Sequence, residues 1–456
     1  MVPPGGPAAG ARGGGKSEQM NEPDKPVILF VHGPPGVGGD GVVVLQTVAE
    51  LDLERFEAVV VAPPASEAWA RFEAVTRPRG IRLYALDMGV VSHLEEGLSG
   101  RRREHPSRLA EIRGGVRAAE RLVRVIVRER VDVVYSMDRS RAVALAAVAT
   151  TVTRRGLVRH GHVPWAGREY AVRQADRVVL GTEYARRAYA AHHIPAHRMR
   201  VIHCGVDVEF YAARQRSAVR PAVEARLGLP PGTPLVLMPG RLSRYKGQME
   251  LVEAIPAIVR SVPGAHFVFA GGDSSEVGDL GPPGPGGMRA RLEARLGALG
   301  VDARAQFLRP SDQELAELYA AADVATVPSW EEPFGLVVVE AMAAGTPVVG
   351  TAAGGIPESI VDGQTGFLVP PRHPAALAEA VTTILTDPEL RERLGRAGQA
   401  RARAHFTLQR YCREMEGVFR QVHDEVAGGR AHPFPALLSW GATRVVHKLR
   451  RLAGTR

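Results

Sequence analysis

From Val27 onward, short runs of β-branched and apolar residues alternate with longer stretches whose apolar positions recur every three or four residues. Val27–Val31, Ala58–Ala62, Ile81–Ala85, Val131–Tyr135, Arg177–Leu180 and Val201–Ile202 read as strands. Val42–Leu51 and Ala118–Glu129, between them, read as helices. A second series runs through Leu235–Met238, His266–Ala270, Ala305–Leu308, Val324–Val327 and Pro347–Val349. Strands alternating with helices in this way form parallel sheets covered on both faces. Two series in 456 residues predict two α/β, Rossmann-like domains, residues 26–210 and 230–405. The joint falls between Asp207 and Pro234, in Arg/Pro-rich sequence.

The flanks read differently. Residues 1–25 are Gly/Pro-rich and predict a disordered leader. Within them Gly10–Ser17 fits the phosphate-loop spelling, but neither a strand before it nor a helix after it exists, so it is not read as a nucleotide loop. Gly271–Gly287 contains too many glycines and prolines for regular structure and predicts a surface loop. Residues 430–456 carry six basic and no acidic residues, with apolar positions at helical spacing. Arg101–Arg130 holds ten arginines against four glutamates. Both basic segments suit either a solvated face or peripheral contact with an anionic membrane.

Net charge is +9, but the 58 basic residues divide into 54 Arg and 4 Lys, which reads as compositional bias. No stripe interleaves aromatics with arginines, so nucleic acid is not expected as a partner. Cys204 and Cys412 lack metal-ligand spacing and suggest reduced thiols in a cytoplasmic protein. Neither a spanning apolar run nor a signal-peptide core is present in the sequence.

The most informative stretch is Val324–Glu358, VATVPSWEEPFGLVVVEAMAAGTPVVGTAAGGIPE. Its strand stops at Pro328, and a helix is expected from about Gly335 to Ala344, before Gly345. Glu332 then lies in the loop at a strand's carboxyl end, where open α/β sheets bind ligands, and Glu340 lies within the following helix. The helix start near Phe334 and Gly335 favours an anionic or hydroxyl-rich ligand. Pro239–Gly247, PGRLSRYKG, places Arg241 and Lys246 five apart in a glycine-bounded loop, able to converge on one diphosphate. Lys246 is the only lysine between Lys25 and Lys448, so lysine stands there against the bias toward arginine.

The first βα turn contains Gly36-x-Gly38-x-x-Gly41, a weak dinucleotide fingerprint. Its second strand ends Ala62-Pro63-Pro64 without the acid that would bind ribose, which argues against a dehydrogenase.

Together PGRLSRYKG, the glutamate pair within PSWEEPFGLVVVEAMAAGTPVV, GGIPESIVDGQTGFLVPP, ADRVVLGTEYARR and HCGVDVEFY resemble the retaining GT-B glycosyltransferases that include glycogen-synthase-like and bacterial mannosyl- and glucosyltransferases, glycosyltransferase family 4, group 1. The resemblance covers roughly residues 27–425. It implies a GT-B fold, an acceptor domain followed by a nucleotide-sugar domain, and a terminal helix at 406–425 crossing back to the first domain. Arg241 and Lys246 would neutralise the diphosphate. Glu332, with the backbone at Phe334 and Gly335, would hold hydroxyls of the donor sugar, Leu336 would also line the donor site, and Glu340 would hold the ribose hydroxyls. Gly38 and Gly39 would lie beneath the sugar and phosphate, and Arg309 beside the base, where the family often has glycine. His160 resembles the histidine that touches the transferred sugar, with His162 as its competitor.

The resemblance further implies metal-independent transfer to a hydroxyl acceptor, with no cofactor. The chain has no two aspartates two apart to hold a metal. A catalytically silent GT-B subunit and a sugar-nucleotide epimerase are the alternatives. His203-Cys204-Gly205 departs from the family's usual Asn-Gly before Val-Asp.

Overall fold

The computed structural model describes residues 25–87, 108–137, 141–161, 174–273, 287–429 and 450–454. The leader at 1–24, residues 101–107 of the arginine-rich segment, His162, residues 274–286 and most of the basic tail fall outside the described residues.

Seven strands build the first sheet: β1 (Val27–Val31), β2 (Glu57–Ala62), β3 (Arg82–Ala85), β4 (Val133–Ser136), β5 (Gly156–Gly161), β6 (Arg177–Leu180) and β7 (Met199–Val201). They are ordered β3-β2-β1-β4-β5-β6-β7 and every pairing is parallel. Leu29 in β1 pairs with Val59 in β2 on one side and Val134 in β4 on the other. With both faces covered, β1 is buried at every residue, which is why it is apolar throughout.

The second sheet has six parallel strands: β8 (Leu235–Pro239), β9 (His266–Ala270), β10 (Ala305–Leu308), β11 (Val324–Val327), β12 (Val348–Thr351) and β13 (Gly366–Val369). Its order is β10-β9-β8-β11-β12-β13. Each sheet is doubly wound, its order reversing beside its first strand, so its ligand-binding edge lies at the carboxyl ends near β1/β4 or β8/β11.

Most expected strands stand where the apolar runs lie. β5 and β13 were not anticipated. β5 carries Arg159 and His160, both buried, and charged letters inside GLVRHG hide a strand from pattern reading. β13 is short and begins with a glycine. The joint is also more structured than expected: Val208–Ala212 and Arg216–Leu227 are helical. Arg216 and Arg220 reach Asp323 at 2.6 and 3.0 Å, and Asp323 also accepts from Leu235 N at 2.8 Å. This pins the connecting helix onto the second sheet.

The terminal helix Leu408–Ala427 returns to the first domain. Glu416 accepts from Asp52 N and from Arg55, both at 3.0 Å, and Arg177 pairs with Glu425. Phe419 packs edge-on against Phe30 and Tyr135, with ring centroids 5.9 and 5.6 Å away. At the far end of the chain, Leu452 and Ala453 pack on the first domain's other core face.

Candidate functional site

Two loops at the carboxyl edge of the second sheet meet because glycine allows it. After β8 the chain makes a short turn, Arg244–Lys246, closed by Gly247 at φ 80°. A Cβ on Gly247 would lie 2.0 Å from the Pro328 carbonyl oxygen, so no other residue fits between these loops. Trp330 N donates to Tyr245 O at 2.8 Å and ties the two strands' exits together.

The contact places Lys246 Nζ 2.5 Å from Glu332 Oε2, and Ser329 Oγ donates to the same oxygen at 3.2 Å. Glu332 is 7% exposed, so the ion pair carries its charge in a poorly hydrated position. Its backbone is equally fixed. Gly355 N donates to Glu332 O at 2.7 Å, and Gly354, at φ 60°, would put a Cβ 2.1 Å from that oxygen.

Gly335, at φ 86°, starts the helix Leu336–Ala343 without a side-chain cap, which leaves its amino end suited to an incoming anion. Glu340, in that helix, accepts from Tyr319 OH at 2.8 Å. Burial pushes its carboxyl above the ordinary range, against hydrogen bonds from Tyr319 and Tyr211 that favour ionisation. The two glutamates eight residues apart are thus held differently, one by a cation and one by phenols.

The other expected residues are placed as follows. Arg241 is exposed, and its carbonyl accepts from Gln248 Nε2 at 2.9 Å. Arg309 is exposed beyond β10, its guanidinium next to Gly272. Gly38 and Gly39 open the helix Gly39–Glu50 beyond β1, and a Cβ on either would meet nothing within 4 Å. The Phe334 side chain turns inward, 3% exposed, so only its backbone faces the helix start. Leu336 packs partly against the core.

His160 stands inside β5, is fully buried, and its Nδ1 lies 3.0 Å from Tyr135 OH and 3.3 Å from Tyr411 OH. The physical reason is alternation along a strand covered on both faces: His160 shares the face of Val158, against the terminal helix. His162 follows the last residue of β5 in sequence and lies outside the described residues.

Sequence reasoning missed Ser329, Tyr319, Tyr211, Thr182, Tyr184, His203 and Glu358. Ser329 stands three residues before Glu332, and the others belong to the site's surroundings only through contacts between residues well separated in the chain. Among the described residues no group of three or more His, Cys, Asp or Glu side chains could hold a metal ion, and no helix is long and apolar enough to cross a membrane.

Residues 37–210 match Glycosyltransferase Family 4 and residues 219–401 match Glycosyl transferases group 1, so the two matches divide as the two sheets do. The D-inositol 3-phosphate glycosyltransferase of Mycolicibacterium paratuberculosis is 31% identical over 399 residues, covering 81% of this chain and 84% of that one. Its counterpart in Mycolicibacterium smegmatis is 30% identical over 449 residues, covering 91% and 95%. The chain belongs to the group 1, family 4 glycosyltransferases.

The structure of Anabaena HepE in complex with UDP and glucose superposes on this glycosyltransferase with a TM-score of 0.70 at 23% identity, covering 87% of this chain and 99% of that one. Sucrose-phosphate synthase from Thermosynechococcus elongatus gives a TM-score of 0.66 at 22% identity, covering 88% and 99%. Both likenesses agree with the GT-B architecture of this glycosyltransferase.

Proposed function

We propose that this glycosyltransferase moves a sugar, with retention, from a nucleotide-diphosphate sugar to a hydroxyl acceptor without a metal ion. The observation that carries the reading is the Lys246–Glu332 contact of 2.5 Å at the carboxyl edge of β8 and β11, beside a helix amino end. Lys246 stands in the loop that follows β8, where the reading puts the diphosphate, and Arg241 belongs to the start of the same loop. Preorganised cations and a helix start stabilise charge as it develops on a leaving diphosphate. Glu332, once Lys246 engages phosphate, would accept sugar hydroxyls, and Glu340 would accept those of the ribose.

Glu332 is not proposed as a nucleophile, because Lys246 and Ser329 both bind one of its oxygens. The acceptor oxygen would attack the anomeric carbon from the face the diphosphate leaves, as the bond from that carbon to the phosphate oxygen breaks. The acceptor's proton would pass to the departing phosphate oxygen.

Neighbouring structures contain UDP and UDP-glucose, and the named relatives act on D-inositol 3-phosphate. UDP-sugars and a phosphorylated polyol are therefore the first donor and acceptor to try. Among UDP-, GDP- and ADP-sugars, one is expected to raise the melting temperature by mass action and to support transfer in excess EDTA. Activity that disappears with EDTA and returns with manganese would end the metal-free reading.

Cytoplasmic residence with peripheral contact to anionic membrane completes the proposal, resting on the basic residues of 430–456. Removing that segment should reduce sedimentation with anionic vesicles and leave transfer to a water-soluble acceptor unchanged. Equal sedimentation of both forms would refute the membrane contact.

A further inference from the structure

The two domains meet along a seam that backs the Glu332 loop. Thr182, just beyond β6, donates from Oγ1 to Pro333 O at 2.9 Å and accepts from Ala185 N at 3.1 Å, capping the helix Glu183–Ala191. The next two backbone N–H groups, of Glu183 and Tyr184, each donate to Glu358 of the second domain at 2.8 Å. His203 Nε2 lies 3.2 Å from the same carboxylate. The His203 ring also meets Phe334, with centroids 6.1 Å apart. Tyr184 OH donates to Glu331 at 2.7 Å. A Cβ on Gly355 would lie 2.4 Å from Pro333 O and 2.5 Å from Thr182 Cγ2, so the seam closes at backbone distance.

Burial would raise the Glu358 carboxyl, but the His203 hydrogen bond and the Tyr184 and Glu183 N–H groups outweigh it and hold it below its ordinary value. A carboxylate at the amino end of a helix from the other domain satisfies orphan N–H groups and meets the positive end of the dipole. Arg401 fixes the other side of this element, donating to Ser359 O at 2.7 Å and Glu358 O at 2.8 Å.

From this geometry we infer that Glu358 is a positioning residue for transfer. By docking the helix Glu183–Ala191 and His203 against the back of Pro333–Gly335, it sets the donor loop and the approach of the two domains with one contact. In this role Glu358 acts through the loop it holds and not by contact with substrate. The inference rests on the proposed donor role of the Glu332 loop and adds the group that holds this loop in place. His203, the departure from the family's usual Asn-Gly, gains a role as the second partner of that carboxylate.

The full chain is assayed with the nucleotide sugar that the wild type uses best among panels of UDP-, GDP- and ADP-sugars. Failure of the wild type with all three removes the donor reading itself. With an active wild type, Glu358→Ala is expected to lower kcat about tenfold or more, since displacements of about 1 Å cost up to about 10²-fold. Affinity for the nucleoside diphosphate of that donor alone should stay within about threefold, because the nucleotide contacts proposed above involve Arg241, Lys246 and Glu340. Glu358→Gln should recover at least about half of the lost kcat, since its amide oxygen still accepts one backbone N–H.

Arg71→Ala is the control. It breaks an exposed pair between the domains, Arg71–Asp312 at 3.2 Å, that includes none of the residues proposed to hold the donor, and should leave kcat within about twofold. The inference is overturned by a folded Glu358→Ala enzyme with kcat within about twofold of wild type, by equal losses in the Gln and Ala variants, or by an equal loss in Arg71→Ala. If Glu358→Ala does not fold, His203→Ala removes one partner only and should lower kcat about threefold, with wild-type kcat overturning the inference.

Discussion

Polar side chains of the two domains stand at different heights along their strands. In the second domain, Lys246 and Glu332 lie beyond the ends of β8 and β11, and Glu340 lies in the next helix. In the first domain, His160 lies one residue before the end of β5, within a buried cluster with Tyr135 and Tyr411. A residue past the strand end is released from the two covering layers, whereas a residue inside the strand must face one of them. A small step along the chain therefore separates a group that can meet a ligand from one that joins the core.

The comparison breaks most easily at Lys246. Lys246→Met removes the cation from the proposed diphosphate site and leaves Glu332 buried with Ser329 as its remaining side-chain donor. The expected loss in kcat/KM is roughly 10²–10³-fold, measured by transfer rates with the variant still folded by circular dichroism. Activity within about tenfold of wild type would place the chemistry elsewhere.

His160→Phe probes the other side. It deletes a buried ring bonded to two tyrosines, so stability should fall by about 1–3 kcal/mol in urea unfolding while kcat stays within about threefold. His162→Ala, past the strand end in sequence, should do the reverse. If His160→Phe instead abolishes transfer at unchanged stability, the imidazole reaches the sugar in the working enzyme.

Glu340 gives the smallest effect. Its carboxyl is raised by burial, so the neutral form stabilises the fold below the ordinary carboxylate value of about 4.3, and this contribution is lost as pH rises through the raised value. Between about pH 4 and neutrality, wild-type melting temperature should therefore fall relative to Glu340→Gln. Parallel curves for the two proteins would show that the carboxyl titrates normally.

Much of the architecture was legible because buried parallel strands must be apolar. β1, β6, β9, β10 and β11 lie on the residues the pattern marked. β5 escaped because tertiary partners, the phenols of Tyr135 and Tyr411, allow a histidine where a lone strand would carry valine. The seam escaped for a related reason. Glu358 lies 175 residues from Glu183, and nothing local to either announces a hydrogen bond between them.

Sequence by itself determined the two α/β units, the glycine-bounded loops and the types of charged group at their strand ends, since these depend on local periodicity and backbone conformation. Tertiary structure alone decided which groups meet: Lys246 with Glu332, Glu340 with Tyr319, His160 with two tyrosines, and Glu358 with a helix of the other domain. The physical reason is that burial and hydrogen bonding depend on distances in space, which the spacing of residues along the chain does not set.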